Sequence, residues 1–260
     1  MVFLPEASDF IGPPSSYPSL TTTLEESVFV KGIRSAAKTN DCWVSVGVHE
    51  KSEDPQRCYN TAIIISNQGE IQQAYRKLHL FDIDLDRDTI SNESKFISPG
   101  QDFKIPLSTP VGKVGQLICY DIRFPEVGIM HRQHGAEVLI YPSAFMPKTG
   151  EAHWEILLRA RAIENQCFVF GAAQVGSHSE NPPRHSWGHA MIVDPWGTVI
   201  ARVPGRDSSK AVSGAKAELE KDESTTSFAL ADIDLKVMHE LRSSMPVLAH
   251  RRNDVYPKLD

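Results

Sequence analysis

Val114-Gly115-Gln116-Leu117-Ile118-Cys119-Tyr120-Asp121-Ile122-Arg123-Phe124-Pro125-Glu126 changes character halfway along. Its first half is an apolar run of the kind that forms a buried strand, and from Asp121 onward the charges and Pro125 mark a turn and a helix start. Cys119 is therefore expected at a strand end. In an α/β protein, pockets open at the carboxyl ends of buried strands, where a thiol is better placed for chemistry than in mid-strand. Free cysteine is also among the most buried residue types, and on the local sequence alone inert packing is the preferred reading. Other parts of the chain overturn it.

Downstream, the pattern continues as a helix over Val127–His134 capped by Gly135, a buried strand at Val138–Tyr141, and a helix over Glu151–Asn165 with Trp154, Leu157, Leu158 and Ala162 on one face. Cys167–Val175 reads as a further buried strand, with Cys167 in the core. Asp194-Pro195-Trp196-Gly197 is a turn between strands at His189–Val193 and Thr198–Val203. Gly205–Thr226 has few large apolar residues and is expected as an exposed insertion. A strand at Ser227–Ile233, a short helix at Leu235–Arg242 and a tail over Met245–Asp260 complete this half.

Upstream, Val2–Leu4 is a strand fragment running into Pro5 and Glu6, and a Pro- and Ser-rich loop covers Gly12–Ser19. Leu24–Thr39 shows helical spacing, and Trp43–Val48 reads as a strand. Thr61–Ile65 and Ile71–Lys77 form a hairpin about Asn67-Gln68-Gly69. Leu80–Gly100 is polar and is expected to be irregular. Its Asp82, Asp84, Asp86 and Asp88 alternate, but the glycine and glutamate of a calcium loop are missing, so they read as a solvated loop and no metal is expected. Strands arriving in pairs between helices indicate an α/β layered sandwich, one domain over 1–260.

Composition narrows the function. The 260 residues, 41% hydrophobic, suffice for one substantial core. A net charge of −6 without a Lys/Arg-rich run disfavours nucleic acid as a partner. No apolar stretch approaches the ~20 residues of a membrane span. Cys42, Cys58, Cys119 and Cys167 are widely spaced, which suits reduced thiols and a cytoplasmic protein.

Three strand ends thus carry Glu6, Lys77 and Cys119. The set is chemically coherent: a thiol nucleophile, a carboxylate to take its proton, and an ammonium that favours the thiolate and steadies an oxyanion. Such residues scattered through a chain are common by chance. Their flanks are more specific.

Leu4-Pro5-Glu6, Tyr75-Arg76-Lys77-Leu78-His79 and Cys119–Glu126 together resemble the three signature segments of the nitrilase superfamily, the carbon-nitrogen hydrolases. The resemblance extends to Tyr141-Pro142-Ser143-Ala144-Phe145, His153-Trp154-Glu155, Arg159-Ala160-Arg161-Ala162 and Asp194–Gly197. It implies a four-layer α-β-β-α sandwich, with Glu6 as general base, Lys77 as oxyanion stabiliser, Cys119 as nucleophile, and Glu93 orienting the lysine and the substrate. Tyr120, Phe145 and Trp154 are the expected substrate-binding residues, and no metal or organic cofactor is needed. Phe124-Pro125-Glu126, Gln166-Cys167 and Ala172-Ala173-Gln174 look closer to the deaminated glutathione amidase branch than to omega-amidase. The implied reaction is hydrolysis of a side-chain amide of an α-keto acid amide, through a thioester, with release of ammonia. Action on α-ketoglutaramate, another carbon–nitrogen hydrolysis, and a non-catalytic binding role are the alternatives. Homodimers with the 245–260 tail at the interface are also implied. Arg123 is expected to pair with a nearby acid, with contact to a substrate carboxylate as the alternative. Family members usually carry a strand and a helix ahead of the segment matching Leu4-Pro5-Glu6, so the usual first strand and helix are expected to be missing here; a mitochondrial address is the alternative location if a leader precedes them.

Overall fold

In the computed structural model, which describes residues 1–86, 89–180, 183–205 and 227–256, the chain forms two main sheets. The first contains β1 (Val2–Phe3), β2 (Val44–Lys51), β3 (Cys58–Ile65) and β4 (Ile71–Arg76) in that spatial order, with β1 parallel to β2 and the others antiparallel. A separate hairpin pairs β5 (Asp82–Asp86) with β6 (Thr89–Asn92). There follow β7 (Leu107–Thr109), β8 (Gly112–Gln116), β9 (Val138–Ile140), β10 (Phe168–Gly171), a hairpin of β11 (Val175–Glu180) and β12 (Pro183–Trp187), and finally β13 (Met191–Val193) and β14 (Val199–Arg202). The second sheet has the order β14-β13-β10-β9-β8-β7, with β8, β9 and β10 parallel at its centre. The helices are α1 (Tyr17–Leu20), α2 (Val28–Thr39), α3 (Pro125–Gln133), α4 (Pro147–Asn165) and α5 (Leu235–Ser244).

Alternation along the strands sets the layers. Ile63 and Ile65 of β3 cluster with Val30 and Ala37 of α2, while Ile64 between them clusters with Val114, Val138, Ile140, Phe168 and Phe170 of the second sheet. Phe3 and Phe170 meet edge to face across the same gap, 4.7 Å between ring centres. On the far side, Leu139 and Val169 cluster with Trp154, Leu158 and Ala162 of α4. The order is therefore helix, sheet, sheet, helices. A strand covered on both faces needs no polar side, and each fully buried isoleucine contributes about 1.5–3 kcal/mol, so β3 ends in the continuous apolar run Ala62-Ile63-Ile64-Ile65.

The helix ends follow local chemistry. Ser27 accepts the Val30 N–H to start α2, Pro125 and Pro147 begin α3 and α4 where no intrahelical donor is required, and Gln166 closes α4 in the left-handed region at φ 49°. No helix among the described residues is long and apolar enough to cross a membrane.

Several expectations need correction. Leu80–Gly100 is not wholly irregular: Asp82–Asp86 and Thr89–Asn92 pair, and the alternating acids belong to a hairpin, with Asp88 outside the described residues. The strand expected over Cys167–Val175 stops at Gly171, and β11 pairs with β12 instead. Residues 227–233 form no strand, because Phe228 and Leu230 stay exposed and only Ile233 packs on the core. The expected insertion lies, from residue 206 to 226, outside the described residues, as do 257–260 of the tail.

Candidate active site

Three backbone devices deliver the three strand-end residues. Past β1 the chain keeps pairing with β2, through Leu4 N–H to Ser45 O at 2.8 Å and Gly47 N–H to Pro5 O at 3.1 Å, and Ala7 at φ 53° then turns it away. Glu6 is thereby held over the sheet. Lys77 follows β4, its N–H donating to Asn60 O and its carbonyl accepting from Gly100 N–H. Gly100 is required there, since a Cβ would lie 2.2 Å from Arg76 O.

Cys119 lies three residues beyond β8, at the first position of a 3₁₀ turn, Cys119–Arg123, with φ 46°. A non-glycine residue in this region is strained by roughly 1–2 kcal/mol and needs external support. The Cys119 N–H donates to Pro142 O at 3.0 Å, and fully buried Asp121 accepts the Ile118 N–H at 2.9 Å. Asp121 also accepts from Tyr75 Oη at 2.7 Å and His79 N–H at 3.1 Å, and contacts His79 Nδ1 at 2.7 Å. One carboxylate thus ties β4, the segment after it and the cysteine turn together.

The side chains converge. Lys77 Nζ donates to both Glu93 oxygens at 2.9 Å and to Glu6 Oε1 at 3.2 Å, while Asn60 Nδ2 donates to Glu6 Oε1 at 2.7 Å. The Phe81 N–H fixes Glu93 from behind at 2.6 Å. Lys77 is 2% exposed and Glu6 is 6% exposed, so these charges persist only because they are paired.

Burial would raise the Glu6 carboxyl, but the Lys77 charge and hydrogen bonds from Cys119, Asn60 and Lys77 hold it below the ordinary carboxylate range. Burial likewise works against the Lys77 ammonium, yet Glu6 and Glu93 push it well above the ordinary lysine range. Burial and then the Glu6 charge push the Cys119 thiol well up, against Lys77 and the Ala144 N–H. The resting site is a neutral thiol hydrogen-bonded to an anionic carboxylate beside an ammonium. Of the two charges beside the thiol, Glu6 outweighs Lys77.

The structure brings Glu6, Lys77, Cys119 and Glu93 into one cluster. Tyr120 is half-buried, its ring against Phe81 and Phe124. Phe145 packs on Trp154, whose indole is 1% exposed and donates to His189 O, so Trp154 is core behind Phe145 and not a surface that substrate touches. Arg123 meets His153 Nδ1 at 3.2 Å and the faces of Tyr120 and Phe145, not the acid expected for it. The sequence reading missed Asn60, Tyr75, Asp121 and Gln174, whose amide donates to Glu6 O and Ala7 O. The available signal for Asn60 was an amide, depleted in strands, just ahead of the apolar run Ala62–Ile65. Among the described residues no group of three or more His, Cys, Asp or Glu could hold a metal ion.

Comparison with known proteins identifies the family. The carbon-nitrogen hydrolase family model matches residues 1–242. The chain is 45% identical over 262 residues to the nitrilase and fragile histidine triad fusion protein of Drosophila melanogaster, covering 98% of this chain and 51% of that protein. It is 42% identical to deaminated glutathione amidase of Bos taurus, covering 100% of this chain and 74% of that one. The crystal structure of Caenorhabditis elegans NitFhit superposes with a TM-score of 0.86 at 41% identity, over 100% of this chain and 58% of that one. The chain spans about half the length of the fusion proteins it matches. With the family model matched across nearly its whole length and Glu6, Lys77 and Cys119 gathered at one buried site, the chain belongs to the carbon-nitrogen hydrolases.

Proposed function

We propose that this protein hydrolyses the side-chain amide of an α-keto acid amide, with deaminated glutathione as the preferred substrate, using Cys119 as nucleophile, Glu6 as general base and Lys77 as oxyanion donor. The observation that carries the reading is the buried Lys77 ammonium held at once by Glu93 and Glu6, with the Cys119 thiol close enough to feel both charges of the Glu6–Lys77 pair. The name of the bovine relative supports the choice of substrate.

As the sulfur adds to the amide carbonyl, its proton passes to Glu6, and the oxyanion forms against Lys77 Nζ and the N–H of Tyr120. Glu93 holds the ammonium in place by two hydrogen bonds. Collapse breaks the C–N bond while Glu6 returns the proton to the leaving nitrogen, and a thioester remains. Water then gives a proton to Glu6, its oxygen adds to the thioester, and the breaking C–S bond takes the proton back. The site's summed charge is the same before and after each step, which suits a buried setting. With α-ketoglutaramate the leaving group is ammonia. In deaminated glutathione the amide nitrogen belongs to cysteinylglycine, so the amine of that dipeptide leaves instead.

Arg123, with no carboxylate partner among the described residues, is the group proposed to meet a substrate carboxylate between Tyr120 and Phe145. A homodimer is proposed as the working assembly. Turnover of deaminated glutathione, followed by cysteinylglycine release, and of α-ketoglutaramate, followed by ammonia release, tests the reading with Cys119→Ala as control. Faster turnover of the first, lost in the variant, supports it; faster turnover of the second shifts the assignment to an omega-amidase; no turnover of either by folded protein overturns it.

A further inference from the structure

The last turns of α3 and α5 each carry an arginine, and the two line one cleft. Arg132 and Arg242, with Pro246, Leu248 and Ala249, line a cavity of about 320 Å³. No acid lines it. This is notable on a chain of net charge −6, where a basic cleft cannot be put down to general composition.

The two arginines differ. Arg242 is engaged, Nε donating to Gln166 O at 2.9 Å and Nη2 to Ala136 O at 2.8 Å, with Nη2 also 3.2 Å from the Cys167 sulfur. Arg132 has no ion-pair partner among the described residues, and its Nε is buried without a hydrogen-bond acceptor. Burial and the Arg242 charge both push the Arg132 guanidinium down. Glu137, in the same region, is already committed to His239 Nε2 at 3.1 Å and to the Lys113 N–H at 2.8 Å. The carboxyl end of a helix favours a cation, and that accounts for one arginine at each helix end. It does not account for two guanidiniums facing a shared cavity with a buried donor unmet, since such a donor normally has a partner.

We propose that the cleft between α3 and α5 is a binding site for a small oxyanion, a phosphate or a dicarboxylate, taken by Arg132 and Arg242 together. A guanidinium presents a planar fork of donors that matches both groups, and the apolar wall of Pro246, Leu248 and Ala249 leaves room for a short carbon skeleton beyond the charged head. The inference does not depend on the amidase reading. It concerns the last turn of α3, at the opposite end of that helix from the Cys119 turn.

The test is thermal unfolding of the whole chain in inorganic phosphate or succinate, each against sodium chloride at equal ionic strength, for wild type, Arg132→Met and Ala249→Glu. A ligand at about 100 times its Kd is expected to raise the wild-type Tm by roughly 5 °C or more. Arg132→Met removes no observed hydrogen bond, so it should fold, with an unliganded Tm equal to or above wild type and no ligand shift. Ala249→Glu supplies a carboxylate from inside the cleft and should also abolish the shift. A response to phosphate alone, to succinate alone or to both identifies the oxyanion and supports the site. Pro246, Leu248 and Ala249 belong to the tail expected at the homodimer interface, so each protein is also sized by gel filtration. No response beyond chloride, a response that persists in Arg132→Met, or a wild-type dimer that dissociates in Arg132→Met without any ligand shift, which assigns the unmet donor to the partner subunit, overturns the site.

Discussion

Gly47 lies directly beneath Glu6, so that a Cβ built on the glycine would come 2.6 Å from Glu6 Cα and 2.9 Å from Pro5 O. Both contacts are to backbone, which cannot swing aside as a flexible side chain would. The glycine is therefore a condition for the placement of the carboxylate. Gly47→Ala is expected to displace Glu6 by several tenths of an ångström or more, and misplacement on the scale of 1 Å costs about 100-fold in rate. Turnover should fall by at least about tenfold while the urea midpoint shifts only modestly. Unchanged turnover in the variant would show that the Glu6 segment adjusts freely.

Asp121 is expected to act as a positioning residue for Cys119. Its carboxylate accepts the Ile118 N–H ahead of the strained cysteine and also binds Tyr75 and His79. In Asp121→Asn the charge is lost, and one amide N–H₂ faces donors it cannot satisfy. Hydrogen bonds to charged groups contribute about 1.5–3 kcal/mol each, so a loss of about 3 kcal/mol or more in unfolding free energy is expected. The Cys119 turn should loosen with it, lowering kcat more than it changes KM. A stable variant with wild-type kcat would count against this role.

The Glu6–Cys119 pair gives a prediction whose two halves run in opposite directions. Glu6 charge raises the Cys119 thiol and Lys77 lowers it. In Glu6→Gln the raising charge is gone and the lowering one remains, so the thiol should ionise at lower pH although hydrolysis has lost its base. Iodoacetamide labelling of Cys119 is expected to rise only above the ordinary thiol range of 9.0 in wild type and to move to lower pH in Glu6→Gln. Turnover in the same variant should drop by about 100-fold or more. Burial pushes Cys58 up to about 12 and Cys167 up to about 11, so neither should interfere, and half-buried Cys42 is removed beforehand as Cys42→Ser. Slower labelling in Glu6→Gln at every pH would reverse the assigned balance.

What the sequence discloses is what local pattern controls. The run through Ile63-Ile64-Ile65, the turn at Asn67–Gly69 and the break after Cys119 are visible because burial, loop closure and proline act within a few residues. The contacts of Asp121 with Tyr75 and His79 span more than forty positions, and a lone aspartate after a strand carries no mark of them. Burial misled the reading of Trp154, which matches a family segment yet faces the core. Leu80–Gly100 misled for another reason: Asp82, Asp84 and Asp86 alternate with Ile83 and Leu85 at the period of a strand, but aspartate is depleted in strands and its weight there masked the signal. The resting protonation of Cys119 lay beyond any pattern, since it depends on the relative distances of Glu6 and Lys77.

His131 should govern how stability responds to mild acid. It is fully buried against Phe103, and a Cβ on Gly115 would fall 2.7 Å from its ring. Burial pushes its imidazole from 6.5 down to about 4, with the Gln116 backbone only partly opposing. Between those values the unfolded chain binds a proton that the folded chain does not, so folding stability must fall as pH drops from about 6.5 towards 4 and level off below. The slope is at most about 1.4 kcal/mol per pH unit, and the whole loss is of the order of 3 kcal/mol. Glu6, held low, contributes in a different window: its stabilisation is intact above the ordinary carboxylate range and is lost only below it. Half-exposed His178 moves in the same direction as His131, but solvent screening weakens its share. Urea midpoints measured at pH 7.0, 6.0 and 5.0 should therefore decline in wild type and stay nearly level in His131→Leu, a variant without the buried titrating group. An equal decline in both proteins would assign the acid sensitivity to groups other than His131.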